Sequence, residues 1–334
     1  MLCSVRILLL HTGGTLMMRT SGSTPLKPAM YTRDLVGELP MLNKIADIDT
    51  EILLQLDSSD MQPENWVDIA RTVHERIADY DGIVLVHGTD TMAYTASALA
   101  FLLPDIARPV VMTGSQRPLD RIRSDARTNL VDAFQIATRP IPEVSIVFAS
   151  KLFRGCRATK RDAWGLDAFA SPSCPPLAHL GVGIELADHI LAPRDRAAFD
   201  PRIEPRVLAV RLFPGLDPSL LLGALDRDVR GIVIKAFGAG NVPTVKRSLI
   251  PVIESATEKD VPVVMVSQCL HAHVDLKAYA GGSEAMKAGA IGGGDMTDEA
   301  ALTKLMITLG RATAGSHVQA AREAFATAPV GEMS

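Results

Sequence analysis

The chain has 334 residues, of which 47% are hydrophobic and 22% charged, and its formal net charge is −4. This is the composition of a globular protein long enough for two domains, and it lacks the basic balance that nucleic-acid binding calls for. The four cysteines, Cys3, Cys156, Cys174 and Cys269, show neither a CxxC pair nor metal-ligand spacing, so they read as thiols of a reducing compartment, with no metal site and no disulfide framework.

The first apolar run, VRILLL (5–10), is shorter than the roughly 7–15 residues of a secretory core and is read as a strand. No run approaches the roughly 20 residues that span a bilayer, so a cytoplasmic protein without membrane contact is expected. Further strands are expected at 51–56, 82–87, 109–114 and 144–149. Helices are expected between them, at 63–80 (Pro63 near its start), 91–103 and 124–138. Strands apolar on both faces that alternate with helices imply an α/β fold with a largely parallel, doubly covered sheet. Periodicity fades from about 150. The proline- and charge-rich stretch 189–206 is the candidate linker between an N-terminal domain (1–188) and a smaller C-terminal α/β domain (207–334). In the second domain, strands are expected at 207–213, 231–237 and 262–267. Helices are expected at 217–227, at 245–257 with a distortion at Pro251, and in two stretches from Asp298 to Thr327.

Ligands of open parallel sheets bind beyond the carboxyl ends of the strands, and three such ends gather hydroxyls, carboxylates and glycines among them, HTGGT (11–15), LDSSDM (56–61) and HGTDTM (87–92), while a fourth, MTGSQRP (112–118), adds Ser115 and Gln116. HTGGT has neither the GxGxxG fingerprint nor a Gly-Lys-Ser/Thr phosphate loop. Its glycines permit a tight turn that could present the Thr15 hydroxyl, or merely close the strand. The residues Asp57, Ser58 and Ser59 could cap a helix, or could hold the ammonium and carboxylate of an amino acid. Asp90 reads as a helix N-cap or as a charge partner beside Thr89. A threonine nucleophile needs a base. His11 and His87, at strand ends, are expected to be packed inside. Lys160 in RATK is one candidate among many, and a surface lysine by itself.

Taken together, TGGT, DSSDM, HGTDTM, TGSQRPL and RATK resemble the L-asparaginase family in order and spacing. DAFASPSCPPLAHLG (167–181), FGAGNVP (237–243) and AIGGGDMTDEAALTKLM (290–306) extend the similarity over nearly the whole chain and look more like the cytoplasmic, type I branch. The resemblance implies a two-domain asparaginase-like fold and cofactor-free hydrolysis of L-asparagine to L-aspartate and ammonia, with L-glutamine as the competing substrate. It implies Thr15 as nucleophile through an acyl-enzyme, and Thr89, Asp90 and Lys160 as the proton-handling set. Asp57, Ser58 and Ser59, helped by Asp90, would grip the amino-acid end, and Ser115 would line the amide side. It also implies a homodimer or homotetramer. The family's loop tyrosine is missing: its position falls near Ser23, and the first tyrosine is Tyr31. The regulatory arginine of some type I members is replaced by Lys235, which lacks the bidentate fork for a carboxylate. Two other readings are the asparaginase-like subunit of a tRNA-dependent amidotransferase and a non-catalytic amino-acid sensor. The former carries an additional N-terminal domain for which Thr15 comes too early, and the latter does not need the intact Thr15, Thr89, Asp90 and Lys160 set.

Overall fold

The first strand, β1 (Arg6–Gly13), is buried at every position except Arg6, which requires a strand on either side and cover on both faces. The computed structural model, which describes residues 5–17, 35–194 and 198–334, supplies both. Ser23 and Tyr31 lie outside the described residues. The chain divides into two compact units, Met1–Pro201 and Arg202–Ser334.

In the first unit, β1 is followed by α1 (Leu35–Glu38), β2 (Asp47–Leu56), α2 (Pro63–Arg76), β3 (Gly82–Val86), α3 (Met92–Leu102), β4 (Val110–Thr113), α4 (Ala126–Ala137), β5 (Val144–Phe148) and β6 (Lys151–Arg154). The short strands β7 (Thr159–Lys160), β8 (Phe169–Ala170), β9 (Ala178–Leu180) and β10 (Ile184–Leu186) complete it. Among the described residues the main sheet runs β10-β9-β6-β5-β4-β3-β1-β2. The strands β2, β1, β3, β4 and β5 are mutually parallel, whereas β6, β9 and β10 are antiparallel additions. The expected largely parallel sheet is therefore a mixed one. Its parallel part has the order 2-1-3-4-5, whose topological switch lies between β1 and β3, where such sheets open a crevice for ligands.

Sequence order explains the layers. Ile7 and Leu9 of β1 point to one face, against Leu130 and Phe134 of α4 and the Leu35–Leu42 segment, and the alternate residues Leu8 and Leu10 are equally buried on the other face. Helix α3 is buried on nearly every side, as its uniformly apolar sequence requires. Strand β2 is an edge strand and begins at Asp47, four residues before the expected 51. Its polar residues Asp47, Asp49 and Thr50 are all exposed, on both faces of the strand, and hide it from a search for apolar runs. The β5–β6 hairpin turns through Ala149 and Ser150, both at positive φ (49° and 58°). Beyond β6, the buried Arg154–Glu143 pair (2.6 Å) holds the chain at 189–191, since Arg154 donates to the His189 carbonyl and Glu143 accepts from the Leu191 N–H.

The second unit comprises β11 (Val207–Arg211), α5 (Ser219–Leu225), β12 (Gly231–Ala236), α6 (Ile250–Glu258), β13 (Val263–Ser267), α7 (Ala280–Ala288), β14 (Ile291–Gly292), α8 (Asp298–Arg311) and α9 (His317–Phe325). Its four strands are parallel and adjacent in chain order. Residues of α5, α6 and α7 share one core with Ile232, Ile234 and Met265, while Leu305 and Leu309 of α8 press on Gly231. Pro251 does not distort a helix starting at 245. It stands in the first turn of α6, which begins at Ile250, where a missing N–H costs nothing. Helix α7, with two glycines in its first turn, gave no signal in the sequence. Lys235 forms an ion pair with Asp298.

Candidate active site

The exits of β1, β2, β3 and β4 meet at the carboxyl rim of the first unit, and glycine is what lets them meet. A Cβ placed on Gly14 would lie 2.5 Å from the Gly88 nitrogen and 2.6 Å from its Cα. One placed on Gly88 would lie 2.5 Å from Ser58 Oγ and 2.7 Å from Ser58 Cβ. Real side-chain carbons do not come that close, so the Thr15 and Thr89 turns are packed backbone to backbone at Gly14 and Gly88, and the Ser58 side chain is packed onto Gly88. Gly14 also takes a positive φ of 91°, which a side chain would resist, and its N–H donates to the Leu56 carbonyl at 3.2 Å. Thr15 opens a single 3-10 turn (Thr15–Met17) immediately after this contact and is half-buried.

On the β3 side, Thr89 is 6% exposed. Lys160, carried on the small β7–β8 hairpin, donates from Nζ to Thr89 Oγ1 at 2.8 Å and to Asp90 Oδ1 at 2.5 Å. Residues 71 apart in sequence are thereby joined. The lysine side chain is 16% exposed and that of Asp90 is 65% exposed, so the cation lies in the wall of the site with its counter-charge toward solvent. Asp90 is not an N-cap. Thr91 holds that position in α3, and no side chain caps it.

Gln116 closes the set. Its amide nitrogen donates to the Gly165 carbonyl at 3.1 Å and more weakly to that of Asp162 at 3.4 Å, which turns its oxygen to Thr89 Oγ1 at 3.1 Å. A carboxamide oxygen only accepts, so Thr89 donates to Gln116 while accepting from Lys160, and one lone pair of its hydroxyl stays open. Ser115, beside it, is 1% exposed and donates to the Arg117 carbonyl at 2.6 Å.

The histidines are buried, as the sequence suggested. His87 is fully buried, and burial pulls its pKa down to about 4, so it is neutral. The Gly88 carbonyl, 2.7 Å from its Nδ1, can only accept, which puts the proton on Nδ1; Nε2 then accepts from the Thr95 hydroxyl at 2.9 Å. With the Gly88 carbonyl turned inward, the Thr89 N–H of the same trans peptide points away from His87. His11 is 2% exposed, its pKa is likewise lowered to about 4 by burial, and neither ring nitrogen has a partner among the described residues.

On the β2 side, Asp57 caps the 3-10 turn Ser58–Asp60, its Oδ1 accepting from the Ser59 N–H (2.9 Å) and the Ser59 hydroxyl (2.8 Å). The Ser59 proton is thus spent on Asp57, and the pair presents only acceptors. Ser58 is 4% exposed, and its carbonyl is held by the Thr91 hydroxyl at 2.7 Å. The turn therefore combines an acceptor-only carboxylate–hydroxyl pair with a second hydroxyl beside Gly88. Sequence reading singled out Ser115 but missed the role of its neighbour Gln116, whose only signal was a long polar side chain following a strand.

A family model described as "Asparaginase, N-terminal" matches residues 6–191, and one described as "Glutaminase/Asparaginase C-terminal domain" matches residues 206–325. The chain belongs to the asparaginase family. The L-asparaginase of Thermococcus kodakarensis is 42% identical over 312 residues, covering 92% of this chain and 93% of that one. Its solved structure superposes with a TM-score of 0.90 at 38% identity, over 99% of each chain. The structure of L-asparaginase I from Vibrio cholerae gives a TM-score of 0.89 at 34% identity, over 99% of this chain and 100% of that one. A component of the glutamyl-tRNA(Gln) amidotransferase of Pyrococcus horikoshii is 36% identical over 91% of this chain and 72% of that one. The two-domain asparaginase fold, with a larger mixed sheet before a smaller parallel one, is what these family members share with the architecture described above.

Proposed function

We propose that this protein hydrolyses the side-chain amide of L-asparagine to L-aspartate and ammonia, with Thr15 as nucleophile. The observation that carries the reading is the Lys160–Thr89–Asp90 cluster, at 2.8 and 2.5 Å, next to the Gly14–Gly88 contact that brings the Thr15 turn against it. A zwitterionic amino acid suits the β2 exit. The Ser58 hydroxyl is the donor for the α-carboxylate, whereas Asp57, Ser59 and Asp90 offer acceptors to the α-ammonium. Ser115 shapes the amide side through the loop that it braces.

In this reading Thr15 Oγ attacks the amide carbon. The Thr15 proton passes to the open lone pair of Thr89, and the Thr89 proton swings from Gln116 to Lys160 as the Lys160 ammonium hands one of its own protons to Asp90, a proton it recovers when it later protonates the leaving group. The developing oxyanion is met by backbone N–H groups, that of Thr89 among them, and one such donor is commonly worth about 3 kcal/mol. Lys160 then returns the proton to the amide nitrogen, the C–N bond breaks and ammonia leaves. Water attacks the Thr15 ester by the reverse proton path, releasing L-aspartate and restoring the hydroxyl. The proposed setting is a cytoplasmic homodimer or homotetramer, to be read by light scattering. Ammonia release from L-asparagine by the isolated protein, abolished in Thr15→Ala, tests the reaction. An acid quench under turnover should leave an aspartyl adduct on the Thr15 peptide. Binding of asparagine without turnover would favour a sensor, and faster release from L-glutamine would reverse the substrate order.

A further inference from the structure

Helix α4 begins with Asp125 at its N-cap, yet the Asp125 carboxylate does not cap the helix. The Ala126 N–H is taken by the Ser124 hydroxyl instead, at 3.1 Å. Asp125 turns the other way: Oδ2 accepts from the Gln116 N–H at 2.9 Å, and Oδ1 accepts from the Arg117 N–H at 3.1 Å. One turn along α4, the 1%-exposed Asn129 donates from Nδ2 to Asp125 Oδ2 (3.2 Å) and to the Gly114 carbonyl (2.9 Å), and accepts at Oδ1 from the Ala149 N–H (3.2 Å). Four backbone groups, at Gly114, Gln116, Arg117 and Ala149, are thereby tied to one helical turn.

We infer that Asp125, locked by Asn129, is a positioning residue that sets Gln116 and, through it, the direction of the Thr89 hydroxyl. Gln116 links this turn to the proton-handling cluster: its backbone is fixed by Asp125, and its side chain spans from the Lys160 hairpin, at the Gly165 and Asp162 carbonyls, to Thr89 Oγ1. The chemistry of the tie requires a carboxylate. Three N–H donors converge on its two oxygens, and an asparagine there must aim its own N–H₂ at one of them. The displaced loop shifts Gln116 and lets the Thr89 proton turn elsewhere, including toward the lone pair that Thr15 needs. Ser58 and Asp57 stand on a different loop, so the grip on the amino-acid end stays intact while the chemical step slows, which is the signature of an interaction used mainly in the transition state.

The inference rests on the hydrolytic reading above, and the test separates the two. Kinetics on L-asparagine are compared for the wild type, Asp125→Asn, Gln116→Ala and the double variant, with Thr15→Ala as the blank and thermal melts for each. Asp125→Asn is expected to lower kcat about tenfold with KM within twofold. Beside Gln116→Ala, the same change is expected to lower kcat less than twofold, because residues acting as one unit are not additive. Should Asp125→Asn not yield folded protein, Asn129→Ser carries the same test, with about a fivefold loss alone and less than twofold beside Gln116→Ala. An equal factor in both backgrounds, a loss expressed in KM alone, or an unchanged kcat would overturn the role of Asp125. A folded wild type that releases no ammonia from L-asparagine would instead overturn the hydrolytic reading, and release surviving Thr15→Ala would overturn the role of Thr15.

Discussion

Gly88→Ala puts the convergence of the strand exits to a direct test. The new Cβ would meet Ser58 Oγ at 2.5 Å, Ser58 Cβ at 2.7 Å and Gly14 Cα at 3.3 Å. Carbon contacts settle at about 3.5–4.0 Å, so Ser58 or the Gly14 turn has to give way by about 1 Å. Gly88 does not need a positive φ, so the effect is steric and free of backbone strain. Overpacking of this kind costs about 1–3 kcal/mol. In a unit spanning Met1–Pro201 that corresponds to a fall in Tm of about 3–10 °C. Because the displaced groups belong to the turns of Thr15 and Ser58, a shift of that size should lower kcat/KM about a hundredfold. Steady-state kinetics and calorimetry on Gly88→Ala, Ser58→Gly and the double variant make the test. Ser58→Gly removes both nearest atoms, so the double variant should regain the Tm of Ser58→Gly alone while KM stays high for want of the Ser58 hydroxyl. Gly88→Ala with a wild-type Tm and kcat/KM within threefold would refute the close packing of Gly88 against Ser58 and the Gly14 turn.

Lys160→Met should reduce kcat by about a thousandfold, the middle of the usual general acid–base contribution, with little change in Tm because its partner Asp90 is mostly solvent-exposed and such pairs contribute about 0–1 kcal/mol. A loss of less than tenfold would remove Lys160 from the proton path. Glu143→Gln strips one charge from a pair only 7% and 3% exposed; breaking such a pair costs about 3–5 kcal/mol and should lower Tm by roughly 10 °C, with turnover at low temperature unaffected. An unchanged melt would mean that the clamp on residues 189–191 is dispensable. His11 and His87 have folded-state pKa values lowered to about 4. Between pH 4 and 6.5 the unfolded chain therefore binds more protons than the folded one, and stability falls as the pH drops, by about 2 kcal/mol per histidine at pH 5. His11→Leu should remove part of that slope in melts between pH 7 and 5, and an identical slope would show that His11 is protonated more readily than its burial implies.

The residues of the proposed site stand out in the sequence because their signals are local. HTGGT, DSSD and HGTDT each announce a strand end by an apolar run that stops at a polar turn, glycine-bearing in the first and last. Their meeting was not legible, because it depends on strand order, and no spacing within the chain reveals that β1 lies between β2 and β3. The half-exposed edge strand β2 was found only where its apolar residues cluster, and β6 to β10 were missed because strands of two to four residues have no period to detect. Lys160 looked like a surface lysine until the hairpin turned it toward Thr89. The role of Gln116 was invisible for a different reason: its effect is relayed through the Gly165 and Asp162 carbonyls, and a carbonyl partner leaves no trace in residue identity.

The central place of β1 also bears on how the chain is made. Leu9 pairs with Thr50 on one side and with Val84 on the other, so this apolar strand gains its second neighbour only after some 75 intervening residues have been synthesised. Until then a newly made N-terminus presents an unsatisfied edge and a bare apolar surface, the state in which chains aggregate or recruit chaperones. The same pairing brings the Thr15 turn against the Thr89 turn, so burying that edge and joining two parts of the proposed site are one event, whereas Lys160 arrives only with the later β7–β8 hairpin.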